Sequence, residues 1–236
     1  VVANHCSDDT LVQLSRCRAA YPQDRLRLSW LEESKPGKSH ALNAAVANTG
    51  HALLCFIDDD QIVEHGFLQH LLDGASQYPD DSIFCGRIWP AWDGSEPAWV
   101  HAREPYAIPI RPFPEFDLGP HAIRTGPDDR FPSGGNICAR RCVCEQVGPF
   151  SVELGPTGHN LVGGEDHDFI RRALDKGFTI RYLPSVRQLH AIDAERMSAA
   201  YTLRKSYFRS RSSFVIHERE KKPRPYMFRK VLNHLA

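Results

Sequence analysis

The amino-acid sequence predicts an α/β fold, a mostly parallel sheet with helices on both faces. Three observations carry this expectation. Strand and helix signals alternate through about the first ninety residues. Residues 51–57 form a continuous apolar run, the pattern of a strand buried on both faces. Residues 64–77 have helical periodicity, with Phe67, Leu68, Leu71 and Leu72 on one side to face the sheet.

The elements follow in order. Residues 1–4 read as a strand, and Ser7-Asp8-Asp9-Thr10 offers capping groups for a helix to about Ala20. Residues 25–31 alternate apolar and polar, a second strand pattern. Pro36-Gly37 makes a turn into a helix over 39–47. A further strand spans 82–89. Residues 90–132 are rich in Pro, Trp and Gly, too long for a simple connector, and read as a functional loop region or lid. Order resumes over 137–147, and the loop 148–164 leads into a helix over 165–176. A strand over 178–182 and a long helix over 194–216 follow. The expected organisation is a catalytic core of 1–192 and a C-terminal helix with a basic tail over 193–236. Within the core, 1–89 and 133–192 flank the variable segment 90–132.

The chain of 236 residues is long enough to bury a sizeable core. Its 29 Lys/Arg and 29 Asp/Glu cancel, but unevenly. From Tyr201 onward ten Lys/Arg stand against two Glu, so the preceding residues are net acidic. That argues against a nucleic-acid binder. The basic tail suits an anionic partner, with a solvated face as the competing reading. The seven cysteines show no regular pairing, and Cys138, Cys142 and Cys144 lack the second ligand pair of a zinc site. They read as small core residues in a reducing cytoplasm. No apolar run approaches the ~20 residues of a membrane span, and no signal peptide is visible. The chain opens on Val1-Val2-Ala3 without Met, so its N-terminus is expected to be cut.

Several motifs carry chemistry. Asp58-Asp59-Asp60 directly follows the apolar strand, at the end where α/β sheets bind ligands. Three adjacent carboxylates suit a hard divalent cation that bridges to phosphates. A helix N-cap cluster is the competing reading. Lys35-Pro36-Gly37-Lys38-Ser39 resembles the end of a P-loop, but Glu32 stands where that motif needs Gly. A cationic turn before a helix remains, able to meet a diphosphate. Ser133-Gly134-Gly135-Asn136 suggests close backbone approach to a ligand, or a plain tight turn. Gly163-Gly164-Glu165-Asp166 opens a helix whose dipole favours carboxylates. Asp166 there suits a general base, with a helix-capping pair as the alternative. His190 follows Tyr182-Leu183-Pro184, and a lone histidine is more often structural than a ligand.

In order and spacing these segments resemble the family 2 glycosyltransferases of the GT-A fold across about residues 1–190. The pieces are Val1-Val2-Ala3-Asn4-His5-Cys6-Ser7-Asp8-Asp9-Thr10, Gly37-Lys38-Ser39-His40-Ala41-Leu42-Asn43 and Phe56-Ile57-Asp58-Asp59-Asp60. Gly134-Gly135-Asn136 with Arg140-Arg141, Gly164-Glu165-Asp166-His167-Asp168-Phe169 and His190 complete the set. The resemblance implies an inverting enzyme that uses Mg2+ or Mn2+ and a UDP- or GDP-sugar. It implies that Asp60 and His190 hold the metal and that Asp58 contacts the ribose, with Asp59 beside it. Asn4 and Lys38 would lie around the nucleobase. Gly134, Gly135, Asn136 and Glu165 would line the donor, and Asp166 would deprotonate the acceptor hydroxyl. That acceptor would be a glycan or a lipid-linked group in surface or exopolysaccharide synthesis. The enzyme would work in the cytoplasm, and the basic tail would dock on the anionic cytoplasmic face of the membrane. Two departures stand out. The family's first strand, central to its sheet, is missing before Val1. Ala3-Asn4 also replaces an acidic residue that reads the nucleobase, so nucleobase preference does not transfer. A nucleotide-sugar binder without turnover is the alternative. A nucleotidyltransferase would need a Gly-rich basic phosphate loop near its start, which this sequence lacks.

Overall fold

A computed structural model describes residues 1–22, 27–101, 113–126, 129–132, 134–158 and 161–219. Ser133 and the tail residues Lys221, Lys222, Arg224 and Tyr226 lie outside the described residues. Strand β1 (Val2–Asn4) pairs in parallel with β2 (Leu31–Glu33), and helix α1 (Thr10–Ala20) lies between them in the chain. Helix α2 (Lys38–Ala47) follows and lies against β1. The larger sheet contains β3 (Leu53–Phe56), β4 (Gln61–Val63), β5 (Ile83–Pro90), β6 (Ile123–Thr125), β7 (Ile137–Arg140) and β8 (Ile180–His190). Its order is β3-β7-β5-β8-β4, with β6 also paired to β8.

The sheet is mixed rather than mostly parallel. β5 and β8 pair in parallel, and the other pairs of this sheet are antiparallel. β3, β5 and β8 share one direction, but β7 inserts between β3 and β5. Ile137 opens β7 opposite Phe56, the last residue of β3. The loop before β7 therefore lies beside the Asp58 end of β3, and β7 must run back. At the other side of the sheet His190, the last residue of β8, pairs with Gln61.

Alternation along the strands gives two cores. On one face Phe67, Leu71 and Ala75 of α3 (Phe67–Gln77) meet Phe84, Cys138, Leu183 and Val186. On the other, α4 (Arg141–Val147) and α5 (Glu165–Asp175) bring Val143, Val147, Phe169, Ile170 and Ala173 onto Ile83, Cys85, Ala139 and Ile180. A 3₁₀ turn (Ala194–Met197) and helix α6 (Ala199–Arg219) complete the described chain.

Four local expectations need correction. Leu68 and Leu72 are 59% and 52% exposed, because the inner face of α3 repeats as Phe67, Leu71, Gly74 and Ala75. The second strand starts at Leu31 instead of Arg25, since in the parallel register Leu31 is the partner of Val2, the first residue of β1. Of the expected strand, Arg25 and Leu26 lie outside the described residues. The last strand runs to His190, far past Tyr182. The cysteines divide: Cys85, Cys138 and Cys144 are buried, whereas Cys6, Cys17 and Cys142 are exposed.

β8 absorbs Pro184 through a bulge. The β5–β8 register passes from Cys85↔Tyr182 to Arg87↔Arg187, so Pro184 falls where no ladder bond is required. Gly86 fills the gap on β5. A Cβ there would lie 2.1 Å from the Val186 carbonyl oxygen, and backbone cannot move aside as a side chain can. Gly86→Ala should therefore destabilise the fold by about 1–3 kcal/mol or more. Gly50→Ala, with nothing within 4 Å of its Cβ, should stay within about 0.5 kcal/mol of wild type. Urea denaturation of both variants measures this, and equal midpoints would disprove the close approach.

Candidate active site

The ends of β3, β8 and the loop before β7 meet the start of α5, and four carboxylates come with them. Asp58 accepts a hydrogen bond from Lys38 Nζ at 2.5 Å. Lys38 stands at the first turn of α2 because Gly37, at φ 128°, turns the chain into the helix. A Cβ on Gly134 would lie 2.9 Å from Lys38 Nζ and 3.4 Å from Asp166 Oδ2. The missing side chain thus leaves a surface that a cation and a carboxylate both border. Asp166 Oδ2 accepts from the Gly134 amide, and Oδ1 accepts from the His167 amide at 2.8 Å.

Charge is balanced locally. Burial alone would push the Lys38 amine down, but Asp58, Glu165 and Asp166 outweigh it and hold the amine above the usual lysine value. Glu165, buried beside Asp166, is pushed up to about 7 by burial and then by the Asp166 charge, against the pull of Lys38. Lys205 of α6 also faces this acidic pair. Burial and the neighbouring Arg209 hold its amine below the usual value, while Glu165 and Asp166 pull the other way.

Asp60 occupies the opposite edge. Its backbone carbonyl accepts from the Ala191 amide at 2.8 Å, which ties it to the end of β8. Its Oδ1 is 3.2 Å from His190 Nε2, and its Oδ2 is 3.3 Å from Arg196 Nη1. The His190 Nδ1 atom lies 2.7 Å from the Ala191 carbonyl oxygen. A carbonyl only accepts, so Nδ1 carries a proton. Nε2 is then the ring atom that faces Asp60 Oδ1, a buried oxygen that makes no hydrogen bond among the described residues.

Other expected site residues have backbone partners. Asn4 donates to the carbonyls of Glu33 and Lys35 and accepts from the Gly37 amide, so it shapes the Lys38 turn. Asn136 exchanges two hydrogen bonds with the backbone of Gly86. Gly135, at φ 72°, gives its carbonyl to Gln188 Nε2. Asp59 is exposed.

Comparison with known proteins identifies the family and the fold. The family described as Glycosyl transferase family 2 matches residues 1–146, more than half of the chain. The chain belongs to this family. No curated protein matches it. Among solved structures, Staphylococcus aureus TarS 1–349 in complex with UDP-GlcNAc superposes with a TM-score of 0.55 at 17% identity. That match covers 85% of this chain and 52% of TarS 1–349. The mannosyltransferase PcManGT from Pyrobaculum calidifontis, in complex with GDP-Man and Mn2+, gives 0.60 at 17% identity. It covers 95% of this chain and 56% of the other. The fold is therefore GT-A, and the chain spans about half the length of these structures.

In this family 2 glycosyltransferase the residues present fit a divalent cation. Among the described residues no three His, Cys, Asp or Glu side chains converge as a full ligand set. Two protein ligands suffice where substrate phosphates and water complete the shell, as for Mg2+ and related ions. Asp60 Oδ1, which makes no hydrogen bond among the described residues, and the His190 imidazole are donors of the right type, and the second nitrogen of His190 is fixed by a carbonyl, as metal-bound histidines commonly are. By contrast, the buried carboxylate of Asp81 is fully used by Arg124, Arg181 and Thr179. Sequence reasoning missed Arg196 and Lys205. Both sit in a stretch read only as a basic helix, and no spacing marks them.

Glu165 makes the protein's stability depend on pH. Below about 4.5 the folded and unfolded chains both hold its proton. Between about 4.5 and about 7 only the folded chain keeps it, so stability falls as pH rises, and above about 7 the loss is complete. Glu165→Gln removes this dependence. Its Tm should exceed that of wild type at pH 8 and converge with it at pH 5. Differential scanning calorimetry across this range decides, and a constant difference would show that Glu165 titrates normally.

Proposed function

We propose that this chain is the catalytic unit of an inverting, metal-assisted glycosyltransferase that transfers a sugar from a nucleotide-diphosphate sugar to an acceptor hydroxyl. The observation that carries this reading is Lys38 Nζ and Asp166 Oδ2 bordering the Cβ-free surface of Gly134. A cation for a leaving diphosphate and a carboxylate for an incoming hydroxyl then flank one space. The UDP-GlcNAc and GDP-Man held by the two structural neighbours support a UDP- or GDP-sugar as donor.

Each side chain has a chemical task in this reading. Asp60 and His190 would hold Mg2+ or Mn2+, which when bound would supply positive charge toward the diphosphate. Lys38 keeps its proton beside Asp58 and faces the same charge. Asp58 and Asp59 border the nucleotide, Asn4 holds the turn that carries Lys38, and Gly134, Gly135 and Asn136 form the donor loop. Asp166 takes the acceptor proton while that oxygen attacks the anomeric carbon opposite the leaving group. One displacement inverts the centre. The Gly134 amide orients Asp166 without neutralising it. Glu165, its carboxyl pushed up to about 7, is only partly ionised near neutrality and adds less charge beside Asp166 than an ordinary glutamate would.

The acceptor belongs to the same proposal, as a glycan or lipid-linked group of surface or exopolysaccharide synthesis. Among the described residues no helix is long and apolar enough to cross a membrane. Contact with an anionic membrane would use α6, where Leu203, Tyr207 and Phe214 are exposed near Arg204 and Arg211. We include 193–219 in the catalytic unit, because Lys205 and Arg196 reach the site.

Two measurements test the reading. Asp60→Ala should abolish Mn2+-dependent binding of a nucleoside diphosphate, and His190→Ala should weaken it less. Calorimetry with and without EDTA reads both, and equal affinity in the two conditions removes the metal. Asp166→Asn should lower the transfer rate about 10²–10⁴-fold and leave donor affinity within a few-fold. Asn still accepts from Gly134 but takes no proton at neutral pH. Asp168→Asn is the control, since Asp168 is paired to Arg172 at 2.9 Å on α5 and should affect stability, with little effect on transfer. Full activity in Asp166→Asn would exclude it as the base, and lost donor binding would make it a ligand-binding residue.

A further inference from the structure

Asp60 has two oxygens with different neighbours. Oδ1 faces His190 Nε2 at 3.2 Å, and Oδ2 faces Arg196, whose Nη1 is 3.3 Å away. Arg196 also places Nε 3.2 Å from Asp193 Oδ2. A divalent cation at Oδ1 and Nε2 would arrive beside this guanidinium, and the two positive groups repel. The contacts that hold Arg196 are weak. Side-chain exposure is 29% for Arg196, 30% for Asp60 and 73% for Asp193, so solvent screens both ion pairs. Arg196 also sits in a single 3₁₀ turn, outside any strand or α-helix, and the Asp193 contact can hold its base while its tip moves. A diphosphate is the group that can draw the tip away. It carries several negative charges, and the planar guanidinium fork matches phosphate oxygens in pairs. Lys205, the other nearby cation of this segment, answers to Glu165 and Asp166, which leaves Arg196 as the cation on Asp60.

We propose that Arg196 is an internal counter-ion of Asp60 that passes to the donor diphosphate when a divalent cation takes the carboxylate, so that metal and nucleotide bind interdependently. The assignment rests on the reading of Asp60 and His190 as metal ligands. Without nucleotide, Arg196 opposes the metal. With nucleotide, the same side chain joins the leaving diphosphate and the opposition becomes support. The coupling is reciprocal, so a bound nucleoside diphosphate tightens Mn2+ as much as Mn2+ tightens the nucleotide.

Calorimetry on wild type, Arg196→Ala and Arg196→Lys tests it with three titrations. These are Mn2+ alone, UDP or GDP in saturating Mn2+, and UMP or GMP in saturating Mn2+. Arg196→Ala should bind Mn2+ alone about three- to tenfold more tightly than wild type, the scale of one removed neighbouring charge. It should bind the diphosphate about tenfold more weakly, the scale of one lost charge-assisted hydrogen bond, and the monophosphate unchanged. Arg196→Lys should fall between, since it keeps the charge without the fork. The opposite signs separate this role from a structural one, because loss of a residue that merely positions Asp60 would weaken Mn2+ as well. Weaker Mn2+ binding in Arg196→Ala, or diphosphate affinity equal to wild type, overturns the proposal. Wild type that binds neither Mn2+ nor diphosphate overturns the metal reading, and the counter-ion role falls with it.

Discussion

Carboxylates repel one another, and the end of β3 with the start of α5 gathers Asp58, Asp60, Glu165 and Asp166 in one place. Each is relieved differently. Asp58 has Lys38 at 2.5 Å. Asp166 accepts two backbone amides. Glu165 holds its proton up to about 7. Asp60 has Arg196 on one oxygen, and the other faces His190 Nε2 at 3.2 Å and makes no hydrogen bond among the described residues. The last difference matters most. A buried carboxylate in a purely structural role is satisfied on both oxygens, as Asp81 is by Arg124, Arg181 and Thr179. A buried carboxylate oxygen without a hydrogen bond is costly unless something positive stands beside it.

The sheet provides the geometry that makes this gathering reproducible. β7 starts opposite the last residue of β3, which puts Gly134 beside the Asp58 end. The loop is then held by amides on both sides. Asn136 grips Gly86 across the β5 bulge, and Gln188 of β8 grips the Gly135 carbonyl. These three bonds are buried, where a hydrogen bond is stronger and an unmade one dearer. The Gly134 amide is thereby fixed before any ligand arrives, and Asp166 is oriented by a rigid partner. Electrostatic preorganisation of this kind costs no rearrangement during a reaction.

Much of this was legible in the residues. The apolar run before Asp58-Asp59-Asp60, the Gly37 turn into α2 and the acidic start of α5 are local signals, and each element formed within a few residues of its expected place. Pairing direction was not legible. β4 and β6 are three residues each, too short to show a period, and β7 enters antiparallel for a topological reason that no local pattern records. Pro184 hid the length of β8, because a proline argues against a strand until a bulge releases it from the ladder. His190 was noticed as a lone histidine. The family resemblance joins it to Asp60, and the fold adds its pairing with Gln61, which sets it beside Asp60 from 130 positions away in the chain.

The C-terminal helix shows where local reading stops. In the sequence it is a run of basic and aromatic residues, and the family match ends well before it, at residue 146. In the fold it packs against the start of α5. A Cβ on Gly164 would lie 3.2 Å from Ile216 Cδ1 and 3.6 Å from Ser212 Cβ, so α6 rests against the first turn of α5. Burial is the leading cause of the high Glu165 value and also of the low Lys205 value. Burial therefore acts on both groups in the direction of neutrality, making the acid weaker and the amine less basic. A helix that contributes no carboxylate to the site can still set the charge around the one that matters, by deciding how much water reaches its neighbours.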